Sequence, residues 1–248
     1  CGYPEGPQGN NIARTSAVLS KLPITTGGTT VNRYCSSGLQ TIAMAATQIQ
    51  SGFADCIIAG GVESISTTHG HINEYMFKNK KIAESVPGVY HAMGITAETV
   101  AKRYNVTRES QDEYALSSQL RCAEAQNQGL YDDEIIPMKT LMMVKDKETG
   151  EISEIETVVD RDNCNRPQST LEGLASLNPV FDPENGSVTA GNASQLSDGA
   201  SVTMVMNADK ANELGLEPLA YFRGFTAVGC EPDEMGIGPI YAIPKLLK

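Results

Sequence analysis

The chemistry in this sequence centres on a thiol. Cys35 lies in Thr30-Val31-Asn32-Arg33-Tyr34-Cys35-Ser36-Ser37-Gly38-Leu39-Gln40, where a run of β-formers gives way to a helical run. A cysteine in such a turn meets free amide donors and the positive end of the helix dipole, and both favour the thiolate. The thiolate is the nucleophilic form, so the position reads as a covalent catalyst. The competing reading is a cysteine packed as a small hydrophobe, the common fate of a lone one. Ser36, Ser37 and Gly38 argue against it, because they are small and leave the approach to sulfur open. The remaining reactive side chains carry less. His69-Gly70-His71 has no carboxylate or cysteine beside it to complete a metal site, so no metal is expected. Lys78, Lys80 and Lys81 read as a solvated basic run, and His91 as a polar loop residue.

The elements that would position Cys35 follow from the apolar spacing. Helical intervals run over Ile12 to Leu22 and stop at Pro23; Thr29 to Tyr34 is rich in β-formers. Leu39, Ile42, Ala43, Ala46 and Ile49 then recur at helical spacing, which predicts a helix over Gly38 to Gln50 with one buried face, ended by Gly52. Asp55 to Ala59 reads as a short apolar strand closed by Gly60-Gly61. Strand, helix and strand with short connections make a βαβ unit, hence a parallel sheet whose carboxyl ends face the ligand. From Ser64 the character changes. Thr96 to Tyr104 and Arg108 to Gln126 read as helices, the second capped by Thr107 and stopped by Gly129. Lys139 to Val144 and Glu151 to Val159 read as a hairpin around a charged turn. Ser201 to Met206 returns to a buried-strand pattern, Lys210 to Leu214 is a short helix ending at Gly215, and Leu219 to Phe225 reads as a strand opening a second domain.

Composition narrows the class. The 248 residues are 40% hydrophobic and 20% charged, as in a globular protein. The formal net charge of −11 speaks against nucleic acid as a partner, while a few local cations and backbone amides can still hold an anionic ligand. No apolar run reaches the ~20 residues of a membrane span. The six cysteines are scattered, with no Cys-x-x-Cys pair, which predicts reduced thiols and a cytoplasmic, intracellular setting. Residue 1 is not Met, and the last residues begin an amphipathic pattern that stops uncapped, so the chain is expected to be the middle of a longer protein.

Five motifs, in order, resemble the thiolases (acyl-CoA:acetyl-CoA C-acyltransferases). Val31 to Gln40 resembles their acyl-accepting cysteine loop, and Ala59-Gly60-Gly61-Val62-Glu63-Ser64 their next strand end. Met93-Gly94-Ile95-Thr96-Ala97-Glu98 resembles a loop-domain segment that lines the pantetheine channel. Val188 to Ala200 resembles the turn into the last core strand, and Met235-Gly236-Ile237-Gly238-Pro239 the opening of the C-terminal domain. The resemblance implies a layered α-β-α fold of the α/β class, with a mixed, mainly parallel sheet and a large loop-domain insertion. It implies an N-terminal core over 1–64, the insertion over 65–186, a return to the core over 187–215, and a second α/β domain only begun over 216–248.

As the resemblance implies it, the reaction is thiolytic cleavage of a 3-ketoacyl-CoA, or the reverse Claisen condensation, through an acyl-Cys35 intermediate. Coenzyme A serves as co-substrate and no cofactor is permanently bound. By the same resemblance Arg166 meets the nucleotide part of CoA, Ser194 contacts the pantetheine arm, and Ala190 and Met93 form apolar channel wall. Read on their own, Arg166 is a surface arginine and Ser194 a turn residue. Some members carry a histidine immediately before the Met-Gly pair; Ala92 stands there, and His91 takes no role. The family's Gly-His-Pro, Cys-x-Gly and Asn-Glu-Ala loops do not occur between Cys1 and Lys248, so this segment alone is expected to be inactive. Family members are homodimers or homotetramers. The rival readings are an acetoacetyl-CoA-forming biosynthetic thiolase, a ketoacyl synthase, a non-catalytic thiolase-like domain that binds acyl-CoA or lipid, and a Cys–His hydrolase.

Overall fold

A computed structural model describes residues 1–248. In chain order the elements are α1 (Ile12–Leu19), α2 (Ser37–Gln50), β1 (Cys56–Glu63), α3 (Ile65–Thr68), α4 (Lys80–Ser85), α5 (Met93–Arg103), α6 (Arg108–Asn127), β2 (Met138–Lys145), β3 (Ile152–Val159), α7 (Leu171–Ala175), β4 (Gly199–Met206), α8 (Ala208–Glu213) and α9 (Gly238–Leu247). Caps set many of the boundaries. Asn11, Thr107, Thr170 and Asn207 each accept a first-turn amide with the side chain, and Gly129 and Gly215 take left-handed backbone just past α6 and α8. The chain divides into two compact units, Cys1–Ala92 with Leu196–Lys248, and Met93–Gln195. Residues 65–92, read from the sequence as part of the insertion, therefore group with the first unit, as do residues 216–248. Residues 187–195 group with the second.

The first unit is built on α2, β1 and β4. β1 pairs with β4 in antiparallel register from Cys56↔Met206 to Glu63↔Gly199. Gly60-Gly61, expected to end the strand, lie inside it. A Cβ on Gly60 would sit 2.5 Å from the Ser201 carbonyl oxygen, so glycine is what allows the two strands to close. The face of α2 toward this pair buries Ala43, Ala45, Ala46 and Ile49, whereas Leu39 is 60% exposed although its spacing placed it on the buried face. The Thr41 hydroxyl donates to the carbonyls of Gly38 (2.7 Å) and Gly60 (3.0 Å), and Gly38 and Gly61 approach closely, which seats the start of α2 on the end of β1.

Four sequence expectations fail here. Both sheets are two-stranded and antiparallel, so the mainly parallel sheet and its βαβ unit are absent. Thr29 to Tyr34 forms no strand, because local bonds take its polar groups. Thr30 Oγ1 donates to the α1 cap Asn11 (2.9 Å), the Tyr34 amide donates to Asn32 Oδ1 (2.7 Å), and the Arg33 amide to Ser37 Oγ (2.9 Å). Leu219 to Phe225 is irregular, and β4 is exposed along most of its length; an apolar run becomes a buried strand only where neighbours cover it.

The second unit has little apolar core. Leu174 and Val188 are its buried apolar side chains, alongside buried Thr96, Asp112 and Thr189. The β2–β3 hairpin runs from Met138↔Val159 to Lys145↔Ile152, close to the predicted bounds. Asp146 closes its turn by accepting from the amides of Glu148 (2.9 Å) and Thr149 (2.6 Å) and the Thr149 hydroxyl (3.0 Å). With so few buried hydrocarbons, hydrogen bonds carry much of what orders this unit.

Candidate active site

Cys35 sits two residues before α2, and its side chain is exposed. The reading of a core cysteine is thereby set aside. Tyr34 takes left-handed backbone (φ 46°), an uncommon conformation for a residue with a Cβ, and it turns the chain sharply just before Cys35. The turn is pinned from behind. The Ser36 amide donates to Arg33 O (3.1 Å), the Ser37 amide to Tyr34 O (3.0 Å), and buried Ser37 also donates its hydroxyl to Tyr34 O (2.6 Å). Ser36 offers no side-chain cap, which leaves the next amides of the first turn, Gly38 and Leu39, to their surroundings. An exposed sulfur beside uncapped amides at a helix start can carry an acyl group as a thioester and return it.

Side chains of Glu63, Gln8 and Asp198 fix this end of the first unit. Glu63, the last residue of β1, accepts from the Gly2 amide (2.6 Å) and from buried Gln8 (2.7 Å); Gln8 in turn accepts the Ser64 amide (2.7 Å). Asp198 accepts from the Ser66 hydroxyl and amide, which together hold its carboxyl below the usual range.

Arg166, Ser194, Ala190 and Met93 all belong to the second unit, and all four are exposed. Met93 opens α5, where its carbonyl accepts the Thr96 hydroxyl (2.8 Å). Arg166 Nη1 curls back on the carbonyls of Asn163 (3.2 Å), Cys164 (3.2 Å) and Asn165 (3.1 Å), while its amide donates to Gln119 (2.6 Å). Gln195, next to Ser194, donates to the same Cys164 carbonyl. The loops carrying Arg166 and Ser194, distant in sequence, are thus joined at one backbone oxygen.

Sequence reasoning missed the side chains that hold these two loops. Gln119 and Gln126 lie seven residues apart on one face of α6. Gln126 accepts from Asn165 (3.0 Å) and Arg161 (2.8 Å) and donates to Asp162 O (2.7 Å). Asn192 donates to Asp112 Oδ1 (3.0 Å) and Ser187 O (2.9 Å) and accepts the Thr189 amide (2.8 Å). Buried Asp112 is paired with Arg108 (2.8 Å), which also reaches the carbonyls of Leu174 (2.7 Å) and Leu177 (3.0 Å). Glutamine and asparagine bonding to distant backbone leave no periodic signal; of these side chains only Asn192 lies in one of the motifs, Val188 to Ala200.

Against this geometry, residues 4–209 match the family model described as the thiolase N-terminal domain. This chain belongs to the thiolase family. It is 46% identical to the 3-ketoacyl-CoA thiolase of Bacillus subtilis, over 100% of this chain and 63% of that protein. It is 43% identical to the mouse peroxisomal 3-ketoacyl-CoA thiolase B, over 96% of this chain and 54% of that one. Among solved structures, the dimeric peroxisomal thiolase of Saccharomyces cerevisiae superposes with a TM-score of 0.84 at 35% identity, covering 94% of this chain and 56% of that chain. The chain thus has the thiolase fold and spans a little over half the length of these relatives. No helix of this thiolase chain is long and apolar enough to cross a membrane.

Proposed function

We propose that the protein carrying this chain is a degradative 3-ketoacyl-CoA thiolase. Its substrates are then a 3-ketoacyl-CoA and free CoA, with no resident cofactor. The observation that carries the reading is the exposed Cys35 sulfur, set by left-handed Tyr34 at the uncapped start of α2. The Cys35 thiolate adds to the C3 carbonyl. The bond between C2 and C3 breaks, its electron pair leaves with acetyl-CoA as the enolate, and C2 then takes a proton. The shortened acyl group remains on Cys35 as a thioester. The thiolate of a second CoA attacks that carbonyl, the Cys35–carbon bond breaks, and the chain-shortened acyl-CoA departs with the Cys35 thiolate restored. Thioester replaces thioester, so the transfer is close to balanced in either direction.

Arg166 is assigned to the nucleotide of CoA, where its planar cation suits phosphate or an adenine face. Ser194 is assigned to the pantetheine arm, and Ala190 and Met93 to the wall beside it; the exposure of all four supports a ligand-facing role. Assembly as a homodimer or homotetramer is supported by the dimeric yeast relative and by apolar residues left uncovered on β4, Val202 at 73% and Met204 at 58% exposure.

The test is peptide mass spectrometry of the whole protein after incubation with acetyl-CoA, beside a spectrophotometric assay of CoA-dependent acetoacetyl-CoA cleavage. An acetyl group on the Cys35 peptide, lost in Cys35→Ala together with cleavage, is expected. A fully active Cys35→Ala protein would discard the assignment.

A further inference from the structure

The loop from Ser187 to Ser194 carries two of the residues assigned above, yet only its root is buried. Val188 and Thr189 are inside, while Ala190 and Ser194 face outward. Such a loop keeps one shape only if something fixes its root, and the fixing group is a carboxylate on α5. Glu98 Oε1 accepts the amides of Ser187 (2.9 Å) and Val188 (2.8 Å), and Oε2 accepts the Ser187 amide (3.0 Å) and hydroxyl (3.0 Å).

The surroundings are shaped to admit that carboxylate. A Cβ on Gly186 would lie 2.7 Å from Glu98 Oε1 and 2.5 Å from the Asp182 carbonyl, so the residue beside the clamp has no room for a side chain. A Cβ on Gly191 would meet Leu174 and Leu177 at 2.6 Å each, which seats the far side of the loop on the segment whose carbonyls Arg108 holds. Asn192 closes the loop on itself and ties it to Asp112. Two anchors, Glu98 at the root and Asn192 near the tip, thus bracket Ala190.

We infer that Glu98 is a positioning residue for CoA recognition. It orders the Ser187–Ser194 loop before the ligand arrives, so that binding does not have to order it. This rests on the thiolase reading proposed above. All of the clamp bonds of Glu98 go to Ser187 and Val188, so we assign the effect of its removal to the affinity for CoA esters rather than to the chemical step. A residue that merely held the protein together would move both.

The experiment compares Glu98→Ala and Glu98→Gln in the whole protein. Glutamine keeps one oxygen for the two amides and presents its NH2 to the Ser187 hydroxyl oxygen, which accepts Gln111 Nε2 (2.9 Å) and has a second lone pair to offer; alanine keeps neither. Three readouts are taken: KM for acetoacetyl-CoA and for CoA, kcat, and the rate of Cys35 alkylation by iodoacetamide, which needs no CoA site. The expected result for Glu98→Ala is a KM raised about tenfold or more, since an unordered loop must be fixed on binding. The values of kcat and the alkylation rate stay within about threefold, and Glu98→Gln restores most of the lost affinity. An unchanged KM in Glu98→Ala overturns the inference. So does a loss in which kcat falls and alkylation changes along with KM, or one that glutamine does not relieve. If the unaltered protein is not acylated at Cys35, the thiolase reading itself has failed, whatever the variants do.

Discussion

A methyl group on Gly60 has nowhere to go. Its Cβ would lie 2.5 Å from the Ser201 carbonyl oxygen, 2.8 Å from Val202 Cγ1 and 3.3 Å from Val202 Cα, across the β1–β4 pair. Carbon–oxygen contacts between strands settle near ~3.3 Å, so the strands must part by about 0.8 Å. A ladder bond of ordinary length is then stretched beyond the ~3.2 Å limit of a good N–H···O bond. Losing two such bonds at ~1 kcal/mol each, with ~1–3 kcal/mol of overpacking, gives about 3–5 kcal/mol against the first unit. Gly61 is the control. Its Cβ would meet Gly38 Cα at 3.6 Å, an ordinary contact, and Gly61→Ala should fall within ~1 kcal/mol of the parent. With a urea dependence of ~2–3 kcal/mol per molar, Gly60→Ala should unfold about 1–2 M earlier, followed by far-UV circular dichroism because the chain has no tryptophan. Equal midpoints for the two variants would refute the steric account of why this strand runs through its glycines.

Arg108→Lys should loosen α7. A single ammonium cannot serve the Asp112 carboxylate and the carbonyls of Leu174 and Leu177 in the geometry of a guanidinium, so faster amide exchange over 171–177 and a stability loss of about 1–3 kcal/mol are expected. The Asp146 carboxyl is held below its usual range, first by the Thr149 amide and then by the Thr149 hydroxyl and Glu148 amide. A carboxyl whose folded pKa is depressed stabilises above its unfolded pKa and loses that contribution as pH falls through the folded value. Protection of the Glu148 and Thr149 amides, taken relative to their intrinsic exchange rates, should therefore fall only as pH drops below the usual aspartate range, and Asp146→Ala should show the reduced protection at neutral pH.

How much of this was legible depends on where the determining partners lie. α6 could be read nearly residue by residue, because Thr107 and Gly129 mark its ends within a few positions of the helix itself. The exposed turn at Cys35 could be read because it is built from its own neighbours. The strands were less legible. Thr29 to Tyr34 has strand composition, but Asn11, Asn32 and Ser37 supply its polar groups with bonds that no ladder has to compete for. Gly60-Gly61 look like a stop, yet the missing side chains admit β4 from more than a hundred residues away. The loop supports were least legible. Glu98, Asp112 and Asn192 act on partners 80 to 90 residues distant, and their types would suit any polar surface.

The Glu98 clamp also sets an order of assembly. Its carboxylate leaves the ribosome 89 residues before the Ser187 amide it will hold. At ~5–20 residues per second of synthesis, α5 waits roughly 4–18 s for that partner. Until then, water must satisfy the polar groups of the α5 and α6 segments that the loop will meet, and that loop is among the last pieces of the second unit to be made.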